Sequence, residues 1–249
     1  MRKKFITCSK DLLIENDKLS TSNSEIDRLL RGGFRSHILN EIVGTGGAGK
    51  TQLCLCLSLM VQLPNKYGGL KKAAVYICTE DVFPIKRLYE LSTSFDQKFG
   101  IGNFLDNVFI SHISDCQKLK AFLRLDVKYL AKFRDIGLII IDSIGGLFRS
   151  DNLDIDYSDR SKNFIEIAAE LRQLSVKFNC ITICCNQMTD DISSGCSEPC
   201  LGLAWSNLVN SRFLITRSNL SSSRTFQTLF SPDLPTSRCN FSITKNGIT

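Results

Sequence analysis

The chain has 249 residues, enough for one large domain or one domain with a short appendage, and 43% of them are hydrophobic, an ordinary share for a protein that buries a full core. Lys and Arg total 31 against 25 Asp and Glu, a net charge of +6 that permits contact with a polyanion without requiring it. No segment approaches about 18 consecutive apolar residues and no signal-peptide pattern opens the chain, so an intracellular protein is expected, with its 11 cysteines as reduced thiols.

Residues 1–20 read as a polar arm, and residues 21–249 as one domain. TSNSEIDRLLRGGF opens with cap-type residues, sets Ile26, Leu29 and Leu30 on one helical face and stops at Gly32 and Gly33. HILNEIV, residues 37–43, is a strand candidate, and it runs into Gly44, Thr45, Gly46, Gly47, Ala48, Gly49, Lys50 and Thr51. Those eight residues fit G-x-x-x-x-G-K-[ST], the phosphate-loop pattern. The glycines permit a backbone whose N–H groups converge on an anion at a helix start. Lys50 would reach the β- and γ-phosphates and Thr51 would ligate Mg²⁺, with a helix following over 50–63.

AAVYIC, residues 73–78, is the second strand, and Glu80 stands just past it. A carboxylate there can orient an attacking water and take its proton, or act simply as a helix N-cap acid. Helices follow over 84–99 and 115–133, with the strand NVFIS between them. GLIIIDS ends a further strand in Asp142, at the carboxyl edge where an acid holds Mg²⁺ in phosphate-loop proteins. A helix over 158–178 precedes CITICC, which delivers Asn186 and Gln187 at its end. Gln187 could sense the γ-phosphate or be a polar turn residue. Cys184, Cys185, Cys196 and Cys200 match no firm zinc spacing and read as core and loop residues.

Near-continuous apolar strands separated by helices imply an α/β fold, a mostly parallel sheet with helices on both faces. SRFLITRS, RTFQTLFS and CNFSITKN alternate more strictly and predict a few antiparallel strands at the C-terminal edge. The N-K-x-D motif of base recognition in GTPases is absent from the sequence.

LLRGGF, EIVGTGGAGKTQLCL, AVYICTEDVFPIKRL, LIIIDSIGGLFRS, ICCNQM and SPDLP together resemble the RecA/RadA-type recombinase superfamily from about residue 20 onward. TEDVFPIKRL and GLAWSNLV are most similar to eukaryotic recombinase paralogues of the X-ray-repair cross-complementing group. The resemblance implies a RecA-like core that binds ATP and Mg²⁺ in the nucleus and assembles with related subunits in homologous recombination, including meiotic recombination. It implies Glu80 as the water-activating glutamate, Asp142 as the Mg²⁺ acid, Gln187 as the γ-phosphate sensor and Arg87 as an arginine lying against the adenine. Arg149, Arg160 and Lys162 fall in the first DNA-facing loop of such relatives. Phe5 and Cys8 match an F-x-x-A motif by which one subunit docks on the next, with cysteine for alanine.

Three departures accompany the resemblance. The second DNA-facing loop carries Asp190, Asp191 and Glu198 and no Lys or Arg, so its field opposes a phosphate backbone. Asn207 stands where the family has a histidine that couples ATP to the DNA loops, and Phe230 where it has the cap aspartate. Weak DNA binding alone and weak or DNA-stimulated hydrolysis are therefore expected. The alternative is a structural subunit whose bound ATP holds an interface while a partner supplies the DNA affinity.

Overall fold

The computed structural model describes residues 16–148, 157–190, 197–218 and 223–249. In chain order the strands are β1 Lys18–Leu19, β2 Phe34–Arg35, β3 Leu39–Gly44, β4 Ala73–Cys78, β5 Val108–His112, β6 Ile136–Asp142, β7 Ile181–Asp190, β8 Ser197–Pro199, β9 Ser211–Arg217, β10 Ser223–Phe230, β11 Arg238–Thr244 and β12 Gly247–Ile248. The helices are α1 Ser24–Leu29, α2 Lys50–Met60, α3 Ile85–Phe99, α4 Cys116–Ala121, α5 Val127–Leu130, α6 Tyr157–Phe178 and α7 Gly202–Ser206.

The main sheet runs β12-β11-β10-β9-β3-β7-β6-β4-β5. From β9 to β5 its neighbours are parallel, and β9 through β12 pair antiparallel, as the alternation of the C-terminal strands predicts. Successive side chains of a strand point to opposite faces. Ala74, Tyr76, Leu138 and Ile140 accordingly join α2 and α3 in one core, whereas Val75, Ile77, Ile139 and Ile141 join α4, α5 and α6 in the other. Apolar helices on both faces are why these strands carry no polar alternation.

Local chemistry sets the helix ends. Asn23 caps α1, its side chain accepting from Ile26 N at 2.9 Å, and Asp115 caps α4 by accepting from Lys118 N at 2.8 Å. The helix expected over 115–133 is interrupted, since a π-helical turn at Phe122–Asp126 joins α4 to α5. Two further boundaries differ from the sequence reading. Lys18–Leu19 pairs with Phe34–Arg35 and Leu19 is fully buried, so the folded part begins before residue 21. Strand β7 does not stop at Cys185; it pairs with β3 as far as Gln187, then continues to Asp190 in a hairpin with β8.

Candidate functional site

Strand β3 ends at Gly44, and the chain crosses to α2 through Thr45–Gly49. Gly47 and Gly49 have φ of 70° and 120°, in the left-handed region that favours glycine. A Cβ built on Gly46 or Gly47 would meet nothing within 4 Å, so the backbone is bare on that side. Lys50 opens α2 with its side chain folded back, Nζ donating to Gly44 O at 2.7 Å and Thr45 O at 3.0 Å. An 11-residue helix directs its first N–H groups and the positive end of its dipole toward this bare backbone.

Facing the loop are the ends of three parallel strands. Asp142 closes β6, and its Oδ2 accepts from Thr51 Oγ1 at 2.7 Å and from Tyr76 Oη at 2.6 Å. Glu80, just past β4, accepts at Oε2 from Ser143 Oγ at 2.8 Å and from Gln187 Nε2 at 3.2 Å. Gln187 lies beside Gly44 in the β3–β7 register, so the amide and the phosphate loop start side by side. Together they wall a cleft of about 380 Å³, closed on another side by Val82, Phe83 and Pro84.

Burial, then the neighbouring Asp142, pushes the Tyr76 phenol well above its ordinary range, and the Cys78 thiol is driven by burial to about 12. Both stay neutral. Cleft charge therefore comes from Lys50 against Glu80, Asp81 and Asp142. Bare loop backbone, a lysine and a helix start suit polyphosphate, and the oxygen pair of Thr51 and Asp142 suits Mg²⁺, a hard cation.

The structure thus unites Gly44–Thr51, Glu80, Asp142 and Gln187. Arg87 lies outside the cleft lining: its guanidinium donates to Gln52 Oε1, Glu90 Oε2, Thr244 O and Lys245 O, bracing α2 and α3 against the β11–β12 turn. Arg160 rests over the rings of Phe148 and Phe164 at 5.8 and 5.7 Å, and Lys162 pairs with Asp159 at 2.9 Å. Phe5, Cys8 and Arg149 lie outside the described residues.

Sequence reasoning missed Tyr76, Ser143 and Arg224, whose Nε donates to Ala48 O at 2.9 Å beneath the loop. It also missed a buried polar hub behind the cleft. Glu41 of β3 is wholly buried; its Oε1 accepts from Asn186 Nδ2 and Trp205 Nε1, each at 2.9 Å, and its Oε2 from Arg212 Nε at 2.5 Å. Asn186 Oδ1 in turn accepts from Gln187 N at 2.9 Å, and the Arg212 guanidinium lies 5.2 Å from the Phe230 ring centroid.

Known proteins share this sequence pattern. An Arabidopsis thaliana protein named DNA repair protein XRCC3 homolog is 37% identical, the match covering 94% of this chain and 93% of that protein. The Bos taurus protein named DNA repair protein XRCC3 is 34% identical over 94% of this chain and 75% of its own length. DNA repair protein RAD51 homolog 2 of Homo sapiens is 31% identical over 79% of this chain and 59% of its own length. The family profile described as Rad51 matches residues 15–249, and the chain, with its phosphate loop, strand-end acids and mixed sheet, belongs to the Rad51 family.

Proposed function

We propose that this chain is an ATP-binding recombinase paralogue that assembles with related subunits in the nucleus to promote homologous recombination and double-strand break repair, including meiotic recombination. The observation that carries the reading is the convergence of Lys50, Thr51, Glu80, Asp142 and Gln187 on one cleft. Relatives named as DNA repair proteins support the process. Phe5 and Cys8 are the proposed docking residues toward a neighbouring subunit. Release of a partner by Phe5→Ala in a pull-down would support that role, and an intact complex would remove it.

The loop N–H groups and Lys50 bind the phosphates and offset charge that develops on them. Thr51 and Asp142 would hold Mg²⁺, which supplies further neutralisation of the phosphate oxygens when bound. Glu80 orients a water molecule and takes its proton at the carboxylate, while Ser143 and Gln187 fix the carboxylate through Oε2. Gln187, tied through its N–H to Asn186, senses the γ-phosphate end of the cleft.

A second reading, a non-hydrolysing subunit in which ATP holds a paralogue interface, is favoured by specific residues. Phe230 lies over Arg212 instead of offering a carboxylate, Asn207 cannot take up a proton, and Glu198 is an exposed acid on β8. Hydrolysis by the purified protein with and without single-stranded DNA, against Lys50→Ala as the blank, tests both. Turnover accelerated by DNA supports the ATPase; tight ATP binding without turnover supports the interface subunit and rules out the ATPase.

A further inference from the structure

Phosphate-loop chemistry assigns no task to Tyr76, yet this residue lines the cleft. It belongs to the second parallel strand from the sheet edge, in register with Ile140, and is 1% exposed. Its hydroxyl donates to Asp142 Oδ2 at 2.6 Å, the oxygen that also accepts Thr51 Oγ1 at 2.7 Å. Its ring meets Phe83 edge-on, with centroids 4.9 Å apart at 78°, and Phe83 belongs to the same short segment as Glu80.

A phenol in a strand that is apolar on both faces must find an acceptor, because a buried unpaired hydroxyl is costly. Here the acceptor is the carboxylate that ends the adjacent strand. Two donors converging on one oxygen fix the rotation of the carboxylate about its Cβ–Cγ bond. They also leave Oδ1 as the oxygen with acceptor capacity toward the cleft. Thr51 is itself a metal-ligand candidate, so of the two donors Tyr76 is the one that can hold Asp142 without contacting the ion. Groups that hydrogen-bond a metal's ligands set their direction and basicity, and the affinity for the ion depends on them.

We propose that Tyr76 is the positioning residue for Asp142, holding the carboxylate so that it engages Mg²⁺ at the phosphate site. The proposal rests on the Mg·ATP reading above and adds to it a residue outside the phosphate-loop pattern. It separates two quantities: nucleotide affinity with Mg²⁺ depends on the Tyr76 hydroxyl, and nucleotide affinity without Mg²⁺ does not.

The test is a titration of the purified chain with a fluorescent ATP analogue, first in EDTA and then across Mg²⁺ concentrations, for wild type and Tyr76→Phe. Tyr76→Phe keeps the ring against Phe83 and removes one hydroxyl. The expected result is an Mg²⁺ half-point raised about tenfold in Tyr76→Phe, with affinity in EDTA and melting temperature unchanged. Equal Mg²⁺ half-points for wild type and Tyr76→Phe would overturn the proposal while leaving the nucleotide site intact. So would a loss of the same size with and without Mg²⁺, since it assigns Tyr76 to packing alone. Failure of wild type to bind the analogue at all would overturn the nucleotide reading and the proposal with it.

Discussion

A Cβ built on Gly146 would stand 2.2 Å from Glu80 Cγ, so the position of the glutamate depends on a residue in the turn after β6 having no side chain. The same Cβ would lie 2.6 Å from Thr79 Oγ1, which is anchored to Ser143, so the Thr79–Glu80 segment must shift and carry the glutamate with it. Gly146→Ala should lower hydrolysis by up to about 100-fold, the effect of misplacing a reacting group by roughly 1 Å. Nucleotide affinity, set by the phosphate loop, should hold. Comparing turnover with equilibrium binding of a labelled nucleotide checks this; equal losses in both would mean a collapsed cleft.

Glu80→Gln tests the carboxylate itself. The amide preserves size and still accepts from Ser143 and Gln187, but it cannot take a proton from water. Turnover should fall by about 100-fold or more with nucleotide binding retained. Unchanged turnover would remove Glu80 from the role of base.

The Glu41–Arg212 pair makes a stability prediction. Arg212 is 7% exposed and Glu41 fully buried, so Arg212→Met leaves a carboxylate in the core without its countercharge. The cost should be about 3–5 kcal/mol, visible as a lower urea midpoint. Replacing both residues together, Glu41→Leu with Arg212→Met, should recover part of that loss. A double variant as unstable as the single one would show that the Asn186 and Trp205 bonds to Glu41, not the uncompensated charge, carry the effect.

Buried thiols set the alkaline limit. Burial raises Cys56 to about 11, and Cys78 and Cys180 to about 12, from an ordinary value of 9.0. Below pH 9 these groups are neutral in folded and unfolded chain alike, and their contribution is fully present. Between pH 9 and 11 the unfolded chain loses protons that the folded chain keeps, so stability falls as pH rises. Each thiol adds about 1.4 kcal/mol per pH unit to the slope. Urea midpoints should be level from pH 7 to 8.5 and decline above 9; a level profile to pH 11 would contradict the burial of these thiols.

Much of the cleft was legible because its residues follow a spacing rule or end an apolar strand. The phosphate loop has both properties, and Asp142 and Glu80 interrupt runs that otherwise read as core. Tyr76 and Glu41 were hidden for the opposite reason. A tyrosine inside AVYIC is a common strand former, and a single acid in LNEIV reads as one polar position in a mostly apolar strand; neither shows in one dimension which acceptor or donor it meets. The bracing contacts of Arg87 were hidden because its partners, Thr244 O and Lys245 O, lie over 150 residues away in the chain. The stop of CITICC at Cys185 was drawn too early because the chain exchanges a parallel partner, β3, for an antiparallel one, β8, without leaving extended conformation.

Trp205 is the sole tryptophan of the chain, and its indole N–H ends on Glu41. Glu41 also receives Asn186, Asn186 receives the Gln187 N–H, and the Gln187 amide rests on Glu80. The protein therefore carries its own fluorophore, wholly shielded from water and a few hydrogen bonds from the phosphate cleft. Any change in its emission on adding nucleotide would be read without a label and with no competing tryptophan signal to subtract.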